Sequence, residues 1–265
     1  MRAPLWLLAC LIASALAAPI LAPYGPEQID LARRREAPSY SHWFGTDDLG
    51  RDVLARVLHG ARVSLAVGLL SAAVAGASGI AVGGIAGYAG GWTDAMLMRG
   101  TDAMLAVPRL PLLMIAASLL QPTIATLVVL IGLTGWMETA RVVRAEFQTL
   151  RARGFVESAR AAGAGHVRVL LAHLLPNTAQ AVVVAITLAV ARGILLESAL
   201  SFFGVGVRPP AASWGNMLYQ AQTALATEPW LAVVPGVFIL LTTLAVNAVG
   251  EHAARAARWA NPVTR

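Results

Sequence analysis

Six long apolar runs constrain the fold of this chain more than any other feature. A helix that crosses the hydrocarbon core of a bilayer needs about 20 apolar residues. Lipid offers the backbone no hydrogen-bonding partners, so such runs are expected to be helical. We therefore predict an all-α membrane protein, a polytopic bundle of about six transmembrane helices. The candidate spans are Leu5–Ala22, Val63–Tyr88, Ala103–Leu120, Thr123–Val142, Thr178–Phe203 and Trp230–Gly250.

Composition supports the membrane class. The 265 residues are 57% hydrophobic and 13% charged, whereas soluble proteins carry about 25% charged residues. We expect an N-terminal segment with the first span over residues 1–40 and one transmembrane domain over 41–265. The first run also imitates a signal peptide with a small-residue cleavage site. Because several spans follow it, we expect the run to be retained.

The basic residues exclude several function classes. All 20 of them are arginine, so the chain lacks the lysine that a P-loop or a Schiff-base site requires. If ATP powers this protein, another chain must bind it. No histidine or cysteine grouping has metal-ligand spacing, and Ser201 is not in a G-x-S-x-G elbow. We therefore expect no catalytic, cofactor or metal residues, and no enzyme activity.

Arginine placement predicts the orientation in the membrane. Six arginines lie between Arg141 and Arg168, in the segment between the fourth and fifth runs. Cytoplasmic loops carry such an excess of positive charge, so we expect both termini in the cytoplasm. An arginine triplet at 33–35 counts against this, but long loops cross with less regard to charge. Because the arginines follow topology, we do not expect nucleic acid binding.

Two patterns within the spans carry chemistry. Gly79, Gly83 and Gly87 share one helix face, which lets helix backbones approach closely in lipid. Their partner helix belongs either to the same subunit or to a second one. Glu197 and Arg192 are ionisable groups at membrane depth, where such groups usually face the bundle interior or a water-filled path. Glu197, near the outer end of its span, either lines a path or has a structural role in which it simply reaches water. Arg192 is expected to be structural, with a partner on another helix.

The basic segment 141–177 has the pattern of a docking loop. Helix-forming residues extend to Ala162, and Gly163 permits a sharp turn. A second short helix is predicted to end at Pro176, where the proline and Asn177 start the fifth span. The alternative is an amphipathic loop that rests on anionic lipid.

This segment resembles the cytoplasmic EAA loop of ABC importer permeases, most closely the dipeptide/oligopeptide/nickel group. Further stretches match the same group in the same order, and the resemblance covers about residues 42–262. They are Phe44–Leu54, Gly90–Asp94 and Glu197–Gly206, followed by Pro209-Pro210 and Ser213–Met217. Three positions depart from the family pattern. Ser158 replaces the usual middle alanine, Arg192 stands where such permeases are generally apolar, and Phe203 replaces a usual leucine.

The resemblance implies a subunit of an ATP-driven importer of short peptides or a related small solute in the bacterial cytoplasmic (inner) membrane. Its implied partners are a second homologous permease subunit, two cytoplasmic ABC ATPase subunits that bind ATP and Mg, an extracytoplasmic solute-binding protein and membrane lipid. Relatives carry peptides, nickel chelates or glutathione, so the solute stays open. The alternatives are a self-contained secondary transporter or channel, an intramembrane enzyme and a membrane scaffold.

The resemblance also assigns roles to residues. The ATPase-coupling loop is expected at about 145–177. Its contact residues would be Glu157, Ser158, Ala159, Ala162, Gly163, Ala164, His173, Leu175, Pro176 and Asn177. The candidate translocation path or outer gate consists of Glu197, Ser201, Trp214 and Asn216.

Overall fold

The computed structural model describes residues 3–121 and 123–260. The two ends of the chain, residues 1–2 and 261–265, whose cytoplasmic location is predicted above, lie outside the described residues. Within those ranges the chain is helical, and its one β-type pairing is an isolated bridge between Thr46 and Asp52. The predicted all-α class is confirmed. The principal helices are α1 Ala3–Leu16, α2 Val53–Ala89, α3 Gly91–Ala106, α4 Arg109–Leu119, α5 Ile124–Leu133, α6 Trp136–Arg151, α7 Gly154–Ala161, α8 His166–Phe202, α9 Trp214–Ala221 and α10 Trp230–Ala260.

The described helices include 3 that are long and apolar enough to cross a membrane, or up to 5 if each of two bent pairs is one span. The three are α2, α8 and the Trp230–Arg255 part of α10. The bent pairs are α3 with α4 and α5 with α6. The predicted first span, Leu5–Ala22, is interrupted, because α1 ends at Leu16 and a separate short helix covers Ala18–Leu21. Pro19 fits the first turn of that short helix.

The predicted span Ala103–Leu120 is broken, because α3 and α4 meet at a bend of 82°. Val107, the residue before Pro108, has an extended backbone with ψ 125°, as expected for a residue that precedes proline. Pro108 is then the N-cap of α4. The predicted span Thr123–Val142 is also broken, by 41° between α5 and α6. The Thr134 hydroxyl donates to the Leu130 carbonyl at 2.8 Å at this break.

Helix α2 runs through the centre of the bundle and packs against α6 through its glycine face. A Cβ on Gly79 would lie 2.6 Å from Cβ of Thr139, and one on Gly87 would lie 2.7 Å from the Arg144 carbonyl oxygen. Gly83 meets the backbone of Ala140 more closely still. The three glycines therefore lie against a helix of the same chain.

A buried ionic clamp fixes the end of the bundle where α2 begins. Arg51 Nε donates to Asp47 Oδ2 at 2.7 Å, and Arg56 Nε lies 3.4 Å from the same oxygen. Both guanidinium groups also donate to Gln220 Oε1 on α9, at 3.3 and 3.2 Å. Asp52 caps α2 by accepting from the Ala55 N–H at 2.7 Å. The Phe44–Leu54 motif therefore ties the loop before α2 to α2 and α9.

We predict that Gly83→Ala destabilises the protein, because the new Cβ has no room beside the backbone of α6. Overpacking of this kind costs about 1–3 kcal/mol, so the thermal midpoint of the detergent-purified protein should fall. The matched control is Gly100→Ala on α3, where a Cβ meets no atom within 4 Å. Equal midpoints for the two variants would contradict the packing described here.

Candidate functional site

The candidate coupling loop lies between α6 and α8, at the end of the bundle where α2 terminates. Its centre is α7, which is anchored by the buried side chain of Val156. Val156 belongs to an apolar cluster with Val143, Phe147 and Val169. One face of the short helix is thus attached to the bundle, while Phe155, Glu157 and Ser158 are exposed.

Gly163 closes α7 in a Schellman motif, which requires a left-handed residue. Its φ is 85°. The Ala164 N–H donates to the Ala159 carbonyl at 3.0 Å, and the Gly163 N–H donates to the Arg160 carbonyl at 2.9 Å. A Cβ at position 163 would meet no atom within 4 Å. Glycine is therefore favoured here by backbone conformation and not by crowding within this chain.

Tyr88, near the end of α2, holds the loop in place. Its hydroxyl lies 2.7 Å from Nδ1 of His166, and its carbonyl accepts from Arg151 Nη1 at 2.7 Å. The Arg160 guanidinium sits 5.2 Å from the centre of the Tyr88 ring, within range of a cation–π interaction. Sequence reasoning missed this anchor. The available signal was a tyrosine near the end of the second apolar run.

The surface of the loop combines apolar and positive groups. Phe155, Val167 and Leu171 are 40%, 68% and 61% exposed. Arg160 and Arg168 are exposed beside them. Among the candidate contact residues, Glu157, Ser158, Ala162, Gly163, Pro176 and Asn177 are exposed, whereas Ala159, Ala164, His173 and Leu175 are partly buried. The structure therefore brings all ten candidates to one segment and leaves six of them open to a partner.

The predicted start of the fifth span at Pro176 is wrong, because α8 continues without a break from His166 to Phe202. Residues Val169–Leu174 form a π-helical turn, in which the Leu175 N–H donates to the Leu170 carbonyl five residues earlier. This turn precedes Pro176, which has no N–H to donate. The Asn177 side-chain amide donates to the His173 carbonyl at 2.6 Å. A side chain therefore supplies a hydrogen bond beside the proline, which cannot donate one.

The four outer-gate candidates form one buried cluster at the opposite end of α8. Both carboxylate oxygens of Glu197 accept hydrogen bonds at 2.8 Å, one from Ser64 on α2 and one from Ser201. Each serine hydroxyl also accepts a backbone N–H, from Trp214 at 3.2 Å and from Val207 at 3.0 Å respectively. The two hydroxyls therefore link Glu197 to the backbone of the segment between α8 and α9.

Trp214 and Asn216 complete this cluster from α9. The Trp214 indole donates to the Val57 carbonyl on α2 at 3.0 Å. Asn216 forms a capping box with Ser213 and donates to the Ala211 carbonyl at 2.6 Å. Glu197 and Trp214 are 0% exposed, so the alternative that Glu197 reaches water is wrong for this conformation. The cluster joins α2, α8 and α9.

Arg192 has the expected partner on another helix. Its Nη1 lies 2.9 Å from Oε1 of Glu138 at the start of α6.

Comparison with known proteins places these features in a family. Residues 79–259 match the family described as the binding-protein-dependent transport system inner membrane component. A protein named "Putative peptide permease protein" from Brucella suis biovar 1 is 43% identical over 247 residues, which are 92% of this chain and 82% of the relative. The glutathione transport system permease protein GsiD of Escherichia coli O6:K15:H31 is 39% identical over 242 residues, 91% of this chain and 80% of that protein.

A solved structure shares the fold. A chain of the MetNI methionine ABC transporter in an inward-facing conformation superimposes with a TM-score of 0.64 at 18% identity. The match covers 76% of this chain and 95% of the MetNI chain. With the family match and two relatives at about 40% identity over nine-tenths of the sequence, the resemblance is confirmed: this chain belongs to the family of inner-membrane components of binding-protein-dependent transport systems and is an ABC importer permease subunit.

Proposed function

We propose that this subunit forms half of the membrane path of an importer for short peptides or a closely related solute. The observation that carries the proposal is the docking segment: an exposed short helix, anchored on Tyr88 and Val156, with apolar and arginine side chains facing outward. One relative is named as a peptide permease and another as a glutathione permease. Glutathione is itself a small peptide, so the two names favour one solute class.

The energy source in this proposal is a pair of ATPase subunits that bind ATP and Mg. The chain contains no lysine for a P-loop, and its exposed loop provides a surface on which an ATPase can act. A second homologous permease subunit would complete the path, and a solute-binding protein would deliver the cargo. This division of labour favours the importer over a self-contained secondary transporter or channel, an enzyme or a scaffold.

We further propose that the Glu197 cluster closes the outer end of the path. It ties three helices together through buried hydrogen bonds, so it must rearrange if these helices are to separate. In this proposal, closure of the ATPases displaces the loop at one end of α8 and strains the cluster at the other. Opening of the cluster would let the binding protein release its solute into the path.

The coupling role predicts that Gly163→Val reduces uptake and lowers the amount of ATPase that co-purifies with the permease. A β-branched residue is strongly disfavoured at φ 85°, so the loop should leave its docking geometry. The control is Gly165→Ala, at a neighbouring glycine with φ −67° and open space. Normal ATPase capture and uptake by Gly163→Val would count against the docking role.

The proposed orientation predicts a labelling pattern. Cys10 is the only cysteine of the chain, so Cys10→Ser supplies a background on which single cysteines can be placed. With a membrane-impermeant maleimide, Ser41→Cys should react in intact spheroplasts, whereas Glu157→Cys should react only after permeabilisation. Both positions are exposed in this structure. The reverse pattern would place the loop outside the cell and contradict coupling to a cytoplasmic ATPase.

The gate proposal predicts that Glu197→Leu raises ATP hydrolysis in the absence of the binding protein. Leucine cannot accept from Ser64 or Ser201, and each buried hydroxyl left without an acceptor costs about 1–3 kcal/mol. The closed cluster should therefore open more readily and release the ATPases from control. Glu197→Gln retains an acceptor oxygen and should give a smaller rise. Unchanged basal hydrolysis in a folded Glu197→Leu complex would oppose the gate.

A further inference from the structure

Three charged side chains meet beside the middle of α2. Glu138 Oε1 lies 2.9 Å from Nη1 of Arg192 on α8 and 4.0 Å from Nη1 of Arg109 on α4. A small cavity beside these two arginines is also lined by Ser71, which is the midpoint of the 37-residue helix α2. The arginine–glutamate–arginine group therefore lies level with the middle of α2, and on α8 it is five residues before Glu197.

The group occupies the point where both bent helix pairs break. Arg109 is the first residue of α4, directly after the break at Pro108, and Glu138 lies in the first turn of α6. Arg109 Nη2 donates to the Ile131 carbonyl at 3.0 Å, near the end of α5. Arg109 is thus engaged with a helix end, where its charge is favourable. Interrupted helices near the bilayer midplane are where transporters place polar binding groups.

Arg192 is less fully engaged than Arg109. Its side chain is 45% exposed, and that of Glu138 is 39% exposed. Among the described residues, Arg192 pairs with Glu138, whereas Arg109 also donates to the Thr134 hydroxyl and the Ile131 carbonyl. The second oxygen of Glu138, Oε2, is buried and accepts no hydrogen bond from the described protein atoms. Two arginines with one glutamate leave a net positive charge.

The exposed side of this group cannot favourably face lipid. Ionised side chains at membrane depth are costly unless they face water, the bundle interior or an opposite charge. An open groove of about 220 Å³ adjoins Arg109 and Glu138 and is also lined by Met104, Pro108 and Leu112. A water molecule occupies about 30 Å³ of liquid, so the groove has room beside Arg109 and Glu138 for a carboxylate with part of its hydration shell. Arg192 does not line the groove itself and adjoins it through the ion pair with Glu138.

We propose that Arg192, assisted by Arg109, is a binding site for the carboxylate of a solute in transit. The inference rests on the proposed import of short peptides, each of which ends in a carboxylate unless it is modified. A guanidinium binds a carboxylate through two parallel hydrogen bonds, and Arg192 has donors available for this. The passing carboxylate replaces Glu138 at Arg192, and Glu138 displaces it in turn when the solute leaves.

The test uses the whole transporter in proteoliposomes, with the partner permease, the ATPases and the binding protein present. The probes are a tripeptide with a free C-terminal carboxylate and the same tripeptide as its C-terminal amide. The measured quantity is the ratio of their uptake efficiencies, kcat/KM for the acid over kcat/KM for the amide. Any preference of the binding protein is common to all variants, so changes in this ratio report on the membrane path.

Arg192→Gln is expected to lower this ratio about tenfold or more, because charge-assisted hydrogen bonds to the carboxylate are lost. Arg192→Lys keeps the charge and should retain part of the preference. The matched control is Arg62→Gln, at an exposed arginine near the start of α2, which should leave the ratio unchanged. An unchanged ratio in a folded, ATP-hydrolysing Arg192→Gln complex would overturn the site.

A purely structural ion pair gives a different pattern. If Arg192 only neutralises Glu138, the double variant Arg192→Gln/Glu138→Gln would recover the wild-type ratio, which would overturn the binding role. Our proposal requires that the double variant remain low and that Glu138→Gln alone keep or raise the ratio. Failure of the proposed function is distinct: wild-type proteoliposomes would then import neither tripeptide, and the carboxylate site would fall with it.

Discussion

Close backbone contact along α2 is the constraint on which the rest of the structure depends. Helices in lipid gain no hydrophobic free energy by leaving an equally apolar solvent, so their association relies on dispersion contacts and small residues. Gly83 lets α2 pack directly against the backbone of α6. A Cβ added to Gly193 of α8 would lie 3.1 Å from Cα of Gly68 on α2, so these two helices are also in close contact. The Glu197 cluster and the coupling loop are both attached to α2, because the Ser64 hydroxyl donates to Glu197 and the Tyr88 hydroxyl contacts His166.

The sequence determined the class of the fold well because a single physical requirement, satisfaction of the backbone in lipid, controls it. Local turn chemistry was also readable, as the left-handed conformation of Gly163 shows. The bends between α3 and α4 and between α5 and α6 were harder to predict from the sequence. Pro108 was visible in the third run, but a proline signals only an interrupted helix. The 82° angle depends on what α4 packs against, and no local pattern contains that information.

Glu197 and Arg192 illustrate why the sites were only partly predictable. Both are ionisable residues in one apolar run, and helix periodicity indicated that they do not share a face. Their environments proved different because their partners come from other helices: Ser64 is 133 residues from Glu197, and Arg192 pairs with Glu138 of α6. The candidate residues were found from motifs, whereas the environment of each side chain is determined by contacts between residues far apart in the sequence. Tyr88, which carries no motif, was missed for the same reason.

The unbroken course of α8 has a mechanical consequence. Its 37 residues correspond to a rod about 55 Å long, with the Tyr88 contact near one tip and the Glu197 hydrogen bonds near the other. A tilt of about 5° about one end moves the far end by about 5 Å, more than enough to pull the Ser64 hydroxyl of α2 out of reach of the Glu197 carboxylate. The helix can therefore act as a lever arm, in which a small displacement of the loop at one end of α8 breaks the Ser64–Glu197 hydrogen bond at the other end.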